Sequence, residues 1–246
     1  MVKGLNLATD ILGKVNLGDM AFLELKDRLP SPQESVVFNA LLVALVEHGI
    51  TPSALASRLT YLGAPESLQG AVAAGLLGVG SLYLGTVEGS ARMLQQASPD
   101  ASPATELRVI ARAIVHDYAT RKASIPGLGH PLHKREDPRT PRLFAIAAEN
   151  GLSGRHVQLM QLIADEFKLR HGRPIPINAT GAIGALASEL DLPWQVCRGL
   201  GVMSRAIGLT GHLLEEMRQP MAQEIWDRVD AEATEHLSRN MEVDSD

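Results

Sequence analysis

Apolar residues recur at intervals of three and four along nearly the whole chain, which is the periodicity of an amphipathic helix. Between Val36 and His48, for example, Val37, Leu41 and Leu45 form one apolar stripe. We find no convincing run in which apolar and polar residues alternate, as they do in a half-buried strand. An aromatic content of 4% also suits closely packed helices better than a β-sandwich. The sequence therefore predicts an all-α fold.

Two stretches rich in turn residues interrupt the helical pattern. The first is Ser124–Pro131, which continues into a charged segment, and the second is Arg173–Gly181. We expect a large helical domain from residues 1–125 and 195–246 and a small helical domain from residues 126–194. The predicted architecture is thus a two-lobed helical fold, with a large body and a small lobe.

Charge and composition narrow the class of protein. A net charge of −5 argues against nucleic acid or an anionic membrane surface as a partner. The single cysteine, Cys197, cannot form an internal disulfide, which fits a reducing cytoplasm. The most apolar stretch, Leu68–Leu84, contains four glycines and is shorter than a membrane span. We interpret it as a buried core helix and expect a cytoplasmic protein that lacks a metal site.

Three side chains stand out as candidate functional groups. His48 ends an apolar helix before Gly49, so it is either a functional residue or a buried or capping histidine. His130 lies in a Gly-x-Gly-His-Pro loop, where glycines allow a ligand to approach backbone donors; a solvated charged loop is the alternative. Arg205 lies in a helix of small residues, where a guanidinium either binds a carboxylate or extends to solvent.

Four ordered motifs resemble those of the citrate synthase superfamily. They are Gly127–His130, Asp137–Arg139, Ser204–Glu215 and the segment Arg28–Gly49 with its Glu-His-Gly end. The short chain and this Glu-His-Gly segment are most similar to the citryl-CoA lyase module of ATP-citrate lyase. The resemblance implies a homodimer or higher homo-oligomer that binds coenzyme A, as an acyl-CoA substrate, and an oxaloacetate-type acid in a cleft.

The resemblance also implies roles for individual residues. His48 and His130 would hold the oxaloacetate carbonyl, and Arg139 and Arg205 would bind carboxylates. Arg218 stands for the family's arginine near the C-terminus that reaches the partner subunit. The implied coenzyme A contacts are Ile125, Pro126, Gly127, Leu128, Gly129 and Lys134.

Two positions depart from the family pattern. Thr180 stands where the family has a catalytic aspartate, and a threonine hydroxyl is not a general base near neutral pH without activation. Tyr83 stands where citrate synthases have a histidine that stabilises the enol. Because its hydroxyl can donate to an enolate oxygen, Tyr83 joins His48 and His130 as a predicted catalytic residue. Glu88 is either a replacement carboxylate or an ordinary helix-surface residue.

These features disfavour efficient citrate synthesis and favour reversible cleavage of citryl-CoA to acetyl-CoA and oxaloacetate. Two alternatives stay open. One is a citrate-synthase-like condensing enzyme that uses another acyl-CoA or 2-oxo acid. The other is a protein that binds coenzyme A or a di-acid without catalysis.

Overall fold

The computed structural model of the protein describes residues 1–80, 85–97, 104–130 and 133–243, except the side chains of 104–105 and 237–243. Within these ranges a π-helix (Leu7–Ile11) and a 3-10 helix (Trp194–Val196) accompany eleven α-helices. The α-helices are α1 Leu17–Lys26, α2 Pro32–Val46, α3 Pro52–Gly63, α4 Leu68–Leu77, α5 Gly85–Ala97, α6 Ala104–Thr120, α7 Arg139–Glu149, α8 Arg155–His171, α9 Ala179–Glu189, α10 Cys197–Arg218 and α11 Ala222–Val243. The same ranges contain only two isolated β-bridges, Val2 with Leu5 and Leu128 with Ile177. The predicted all-α fold is confirmed.

Helix α2 begins at two polar residues, Ser31 and Glu34, which bond each other's backbone amides. The Glu34 amide donates to Ser31 Oγ at 3.1 Å, and the Ser31 amide donates back to the Glu34 carboxylate at 2.8 Å. Arg28 pairs with the same carboxylate at 2.6 Å. Hydrogen bonds from Arg28, together with the Ser31 amide, lower the pKa of Glu34 to about 2 although burial opposes the shift. Ser31 and Glu34 therefore form a capping box.

The chain divides into two compact units, which we call unit 1 (residues 1–45 and 80–203) and unit 2 (residues 46–79 and 204–246). The division into a large and a small helical domain proposed from the sequence stays a prediction. None of the helices in the described ranges is both long and apolar enough to cross a membrane.

Unit 1 is organised around α9, which packs against α5, α7 and α8. Every residue from Gly181 to Ser188 is buried. The small side chains are needed for this packing, since a Cβ on Gly184 would lie 2.8 Å from the Ser90 Cβ of α5. Because the second turn-rich stretch ends within the first turn of α9, this buried helix determines where that stretch lies.

Unit 2 contains α3, which packs against α4 and α11. Ser53 Oγ donates to the Gly75 carbonyl at 2.6 Å, and a Cβ on Gly75 would lie 2.7 Å from Leu209 Cδ1. The glycine-rich helix thus packs on one face only. Leu77 at its end is 88% exposed, so the prediction of a buried core helix over Leu68–Leu84 is wrong. The small residues of α4 pack closely on the face that contains Gly75, but the opposite face is exposed. Residues 81–84 lie outside the described ranges.

Candidate functional site

In unit 1, the loop of residues 125–130 is held against the segment that leads into α9. The Gly129 amide donates to the Pro176 carbonyl at 2.8 Å, and the Asn178 amide donates to the Gly127 carbonyl at 3.0 Å. Gly127 and Gly129 have φ angles of +87° and +81°, which favour glycine. A Cβ on Gly127 would also lie 2.6 Å from the Gly181 Cα. The two turn-rich stretches therefore form one structure, which only glycine permits at position 127.

Asn178 joins this loop to the start of α9. Its Nδ2 donates to the Gly129 carbonyl at 2.6 Å, and its Oδ1 accepts from the Gly181 amide at 3.0 Å. The same Oδ1 accepts a hydrogen bond from Thr180 Oγ1 at 2.7 Å. Thr180, which stands at the family's aspartate position, therefore donates its hydroxyl proton to Asn178, the N-cap of α9.

Arg139, the first residue of α7, is paired with a fully buried carboxylate. Asp137 accepts from Arg139 Nε at 3.0 Å, from Arg139 Nη2 at 2.8 Å and from the Ala179 amide at 2.9 Å. Burial by itself would raise the pKa of Asp137, but these hydrogen bonds outweigh burial and lower it to about 2. Asp137 thus keeps its charge and ties Arg139 to the start of α9.

His130 has its tautomer set by a backbone contact. The His133 amide donates to His130 Nδ1 at 3.0 Å, and the two rings lie 4.5 Å apart between centroids. Because Nδ1 accepts, the neutral ring carries its proton on Nε2. His130 can therefore act as a hydrogen-bond donor through Nε2 without becoming charged.

A cavity of about 490 Å³ lies beside the loop in unit 1. Three of the implied coenzyme A contacts line it, namely Ile125, Leu128 and Gly129, whereas Pro126, Gly127 and Lys134 do not. Cationic and aromatic residues that the sequence reasoning missed also line the cavity: Lys122, Arg173, Tyr118, Phe167 and His171. The sequence offered one signal for this site. Arg173 is a cation at the start of the second turn-rich stretch, where a loop can bring it to a ligand.

In unit 2, His48 follows the end of α2 and is exposed, so the interpretation of it as a buried histidine is wrong. The preceding Glu47 accepts the backbone amides of His48 and Gly49 on Oε1, at 2.8 and 2.6 Å. Gly49 has φ +68°, which completes a tight turn. Burial opposes ionisation of Glu47, but these amides and His212 lower its pKa overall. The turn after α2 is thus held by a charged side chain.

Arg205 is buried on α10, so the alternative of an arginine that extends to solvent is wrong. It is 6% exposed, and burial lowers the pKa of its guanidinium while the charge of Glu47 opposes the shift. Its Nη1 is buried and has no hydrogen-bond partner in the part of the chain that the structure describes. Such a group is a candidate anion-binding site, because a buried donor left unused costs free energy.

The remaining predicted residues are placed as follows. Arg218 is the exposed last residue of α10, and Lys134 is also exposed. Tyr83 lies outside the described residues. Glu88 forms an ion pair with Arg198 at 2.8 Å, which makes the surface interpretation the simpler one. No cluster of three or more metal-ligating side chains occurs within the described ranges.

A buried cluster in unit 2 was missed by the sequence reasoning. Arg58 of α3 is fully buried, and it bonds Glu216 Oε2 at 2.7 Å, His212 Nδ1 at 2.8 Å and the Glu215 carboxylate. His212 Nε2 lies 3.1 Å from Glu47 Oε1. Arg205 and His212 both lie in the Ser204–Glu215 motif, but no local pattern in the sequence pointed to Arg58.

Comparison with known proteins places this architecture. The family model described as "Citrate synthase, C-terminal domain" matches residues 15–226, which is most of the chain. The chain therefore belongs to the citrate synthase family, an enzyme family.

Two solved structures illustrate the relationship. The citryl-CoA lyase from Hydrogenobacter thermophilus is 35% identical, with a TM-score of 0.80 over 88% of this chain and 82% of that chain. The ATP citrate lyase from Methanothrix soehngenii, solved in complex with citrate and coenzyme A, is 22% identical, with a TM-score of 0.72. It aligns over 86% of this chain and 36% of that chain, and its likeness shows the fold alone.

The curated relatives are longer proteins. The ATP-citrate synthase beta chain protein 2 of Arabidopsis thaliana is 24% identical over 201 residues, which is 74% of this chain and 32% of the relative. The putative citrate synthase 2 of Mycobacterium tuberculosis is 27% identical over 194 residues, which is 77% of this chain and 49% of the relative. The chain thus spans about a third to a half of the length of these relatives.

Proposed function

We propose that this chain is a citryl-CoA lyase, which cleaves citryl-CoA reversibly to acetyl-CoA and oxaloacetate. The observation that carries the proposal is the buried Arg205 guanidinium with an unused Nη1 donor in the described part of the chain. A substrate carboxylate would supply the missing acceptor, and an arginine fork suits a carboxylate in both charge and geometry. The 35% identity to a citryl-CoA lyase over most of both chains supports the same activity.

The reaction requires a donor for an oxyanion and a route for one proton. A base removes the proton of the C3 hydroxyl of citryl-CoA, and the C2–C3 bond breaks as the C3 carbonyl of oxaloacetate forms. The bonding electrons move to the thioester as an acetyl-CoA enolate, which then takes up a proton at carbon. In our proposal His48 and His130 donate hydrogen bonds to the C3 oxygen, and Tyr83 donates to the enolate oxygen. Arg139 and Arg205 bind carboxylates.

Coenzyme A is the proposed acyl carrier. Ile125 and Leu128 give the cavity of unit 1 an apolar wall for the adenine ring, and Lys122 and Arg173 provide cations for phosphates. Lys134 is the further phosphate contact that the family resemblance implies. We expect Lys122→Ala with Arg173→Ala to weaken coenzyme A binding, measured by calorimetry, while Lys168→Ala on the surface of α8 leaves it unchanged.

A homodimer is the proposed assembly. Large apolar side chains are exposed on helices of unit 2, including Leu77 at 88%, Trp226 at 56% and Ile207 at 52%. In our proposal these side chains are buried against a second copy of this chain. In the dimer, Arg218 would reach the partner subunit. Light scattering at working concentration should therefore give twice the monomer mass, and a monomer would contradict this part of the proposal.

The decisive experiment follows oxaloacetate release from (3S)-citryl-CoA by coupling to malate dehydrogenase and NADH oxidation. We expect saturable turnover that falls by at least about a hundredfold in Arg205→Met and in His130→Ala. Arg228→Met, which removes an exposed arginine of the same unit, should turn over like the original protein. Equal activity of Arg205→Met and Arg228→Met would refute the assignment of Arg205.

If citryl-CoA is not turned over, proton exchange and calorimetry separate the two alternatives. A condensing enzyme with another substrate should still exchange the α-protons of its own acyl-CoA in deuterium oxide. A binding protein should bind coenzyme A or a di-acid by calorimetry without exchange. The specific observation that favours the binding alternative is Thr180, whose hydroxyl donates to Asn178 instead of supplying a carboxylate.

A further inference from the structure

A continuous chain of polar contacts in unit 2 leads from a buried arginine to the backbone of His48. Arg58 Nη2 lies 2.8 Å from His212 Nδ1, and His212 Nε2 lies 3.1 Å from Glu47 Oε1. Glu47 Oε1 in turn accepts the amides of His48 and Gly49. Each of these groups belongs to the same unit.

The direction of each hydrogen bond in this chain follows from the chemistry of its members. A guanidinium can only donate, so His212 Nδ1 must accept from Arg58. His212 then carries its proton on Nε2, and Nε2 donates to the Glu47 carboxylate. A histidine with the opposite tautomer would place an unprotonated Nε2 against an anionic oxygen. Arg58 therefore determines that the His212 nitrogen facing Glu47 is the one that carries the proton.

Arg58 itself has little freedom to move. It is fully buried, and its Nη1 bonds Glu216, which is 5% exposed. The other carboxylate oxygen of Glu216 accepts the Met221 and Ala222 amides at the start of α11, both at 2.9 Å. The arginine is thus anchored to a helix end, and this anchor holds His212 in place.

Close packing brings α10 to the end of α2 at the same point. A Cβ on Gly208 would collide with the Val46 carbonyl oxygen, so only glycine allows this approach. His212 follows one turn later on α10. The position of His212 relative to Glu47 is consequently set by packing of the two helices as well as by hydrogen bonds.

We propose that His212 is a positioning residue that acts through Glu47 to hold the turn of His48 and Gly49. It fixes the direction in which the exposed His48 ring meets substrate. The inference rests on the proposed function, because the role of His48 as a substrate contact comes from there. His212 itself does not touch substrate in this proposal.

Two amide variants test it with the same chemistry and different reach. In His212→Gln the side chain extends far enough to place its amide nitrogen near the position of Nε2. This nitrogen always donates, so the hydrogen bond to Glu47 no longer depends on Arg58. Asn at position 212 can still accept from Arg58, but it is too short to reach Glu47. We expect His212→Asn to lower kcat for citryl-CoA cleavage about tenfold with KM nearly unchanged, since one hydrogen bond to a charged group is lost. His212→Gln should retain most of kcat.

A double-mutant cycle with His48→Ala links the effect to His48. If His212 acts through His48, His212→Asn should cause no further loss of kcat in the His48→Ala background. Independent, additive losses would overturn the proposal. If His212→Gln is as impaired as His212→Asn, the imidazole has a merely structural role, and the proposal is overturned as well.

Hydrogen exchange gives a readout that does not need activity. The amides of His48 and Gly49 should exchange about tenfold faster in His212→Asn and at the original rate in His212→Gln. Unchanged exchange in His212→Asn would refute the positioning role whatever the activity. If the unmodified protein fails to cleave citryl-CoA, the proposed function fails, and the exchange rates still decide whether His212 holds the turn.

Discussion

Asp137→Asn is the substitution that most directly tests how the loop and the start of α9 are held together. The fully buried Asp137 carboxylate accepts hydrogen bonds from the side chain and amide of Arg139 and from the Ala179 amide. These partners are all donors. The Nδ2 of an asparagine would therefore point its own hydrogens at Arg139 or at the Ala179 amide, and the charge that Arg139 needs would be gone.

The size of the effect follows from the pKa of Asp137. Its folded value of about 2, against an ordinary value of 3.8, corresponds to about 2 kcal/mol of stability at neutral pH. Because the folded pKa is lowered, this contribution is present above the ordinary pKa and is lost as the pH falls through the folded value. About half of it should remain at pH 3. Arg139 is 34% exposed on its side chain, so water screens part of the interaction, and we expect no more than this amount.

Urea unfolding followed by circular dichroism measures both quantities. Asp137→Asn should be less stable than the original protein by about 2 kcal/mol at pH 7, and the difference should narrow towards pH 3. Glu136→Gln removes the charge of the exposed neighbour and should change the free energy of unfolding by less than about 0.5 kcal/mol. A loss in Asp137→Asn equal to that control, or a loss that does not depend on pH, would refute the reasoning.

Three shorter predictions concern the same unit. In urea unfolding, Gly127→Ala should destabilise the fold more than Gly129→Ala. Both glycines have positive φ, so the backbone strain is similar. A Cβ on Gly127 would lie 2.6 Å from the Gly181 Cα, whereas the nearest atom to a Cβ on Gly129 is 3.4 Å away. Thr180→Asp should raise deuterium exchange into acetyl-CoA above that of Thr180→Ser, and equal rates would contradict a simple loss of the base. Burial, with a smaller contribution from a nearby carboxylate, raises the pKa of the Cys197 thiol to about 12, so a thiol reagent at pH 8 should react only after unfolding.

The helices were predictable because their signals are local. Apolar residues at intervals of three and four predicted helices along nearly the whole chain, α2 among them. Glycine and proline in two stretches predicted the loops that contain His130 and Asn178. In each case the residues that determine the structure lie within a few positions of one another.

The contacts that complete the candidate site depend on residues far apart in the sequence. Arg58 and Glu216 are separated by 158 positions, and Asp137 and Ala179 by 42. A sequence read one helix at a time shows Arg58 only as a charge inside an apolar pattern. Its burial becomes favourable only because two carboxylates and His212 arrive from α10, which no local spacing reveals. For the same reason the exposed end of α4 at Leu77 was mistaken for core.

Arg139 and Arg205, which the family resemblance treats alike, differ in a way that bears on substrate binding. Arg139 already has an ionised partner in Asp137, so its Nε and Nη2 donors are occupied and its orientation is set before a ligand arrives. Arg205 is buried, its pKa is lowered by burial, and its Nη1 is unused among the described residues. A carboxylate that binds Arg205 therefore relieves a desolvation cost that folding has already incurred, whereas one that binds Arg139 adds to an existing pair. We consequently expect Arg205 to contribute more to the affinity for a di-acid, and Arg139 to contribute more to its orientation.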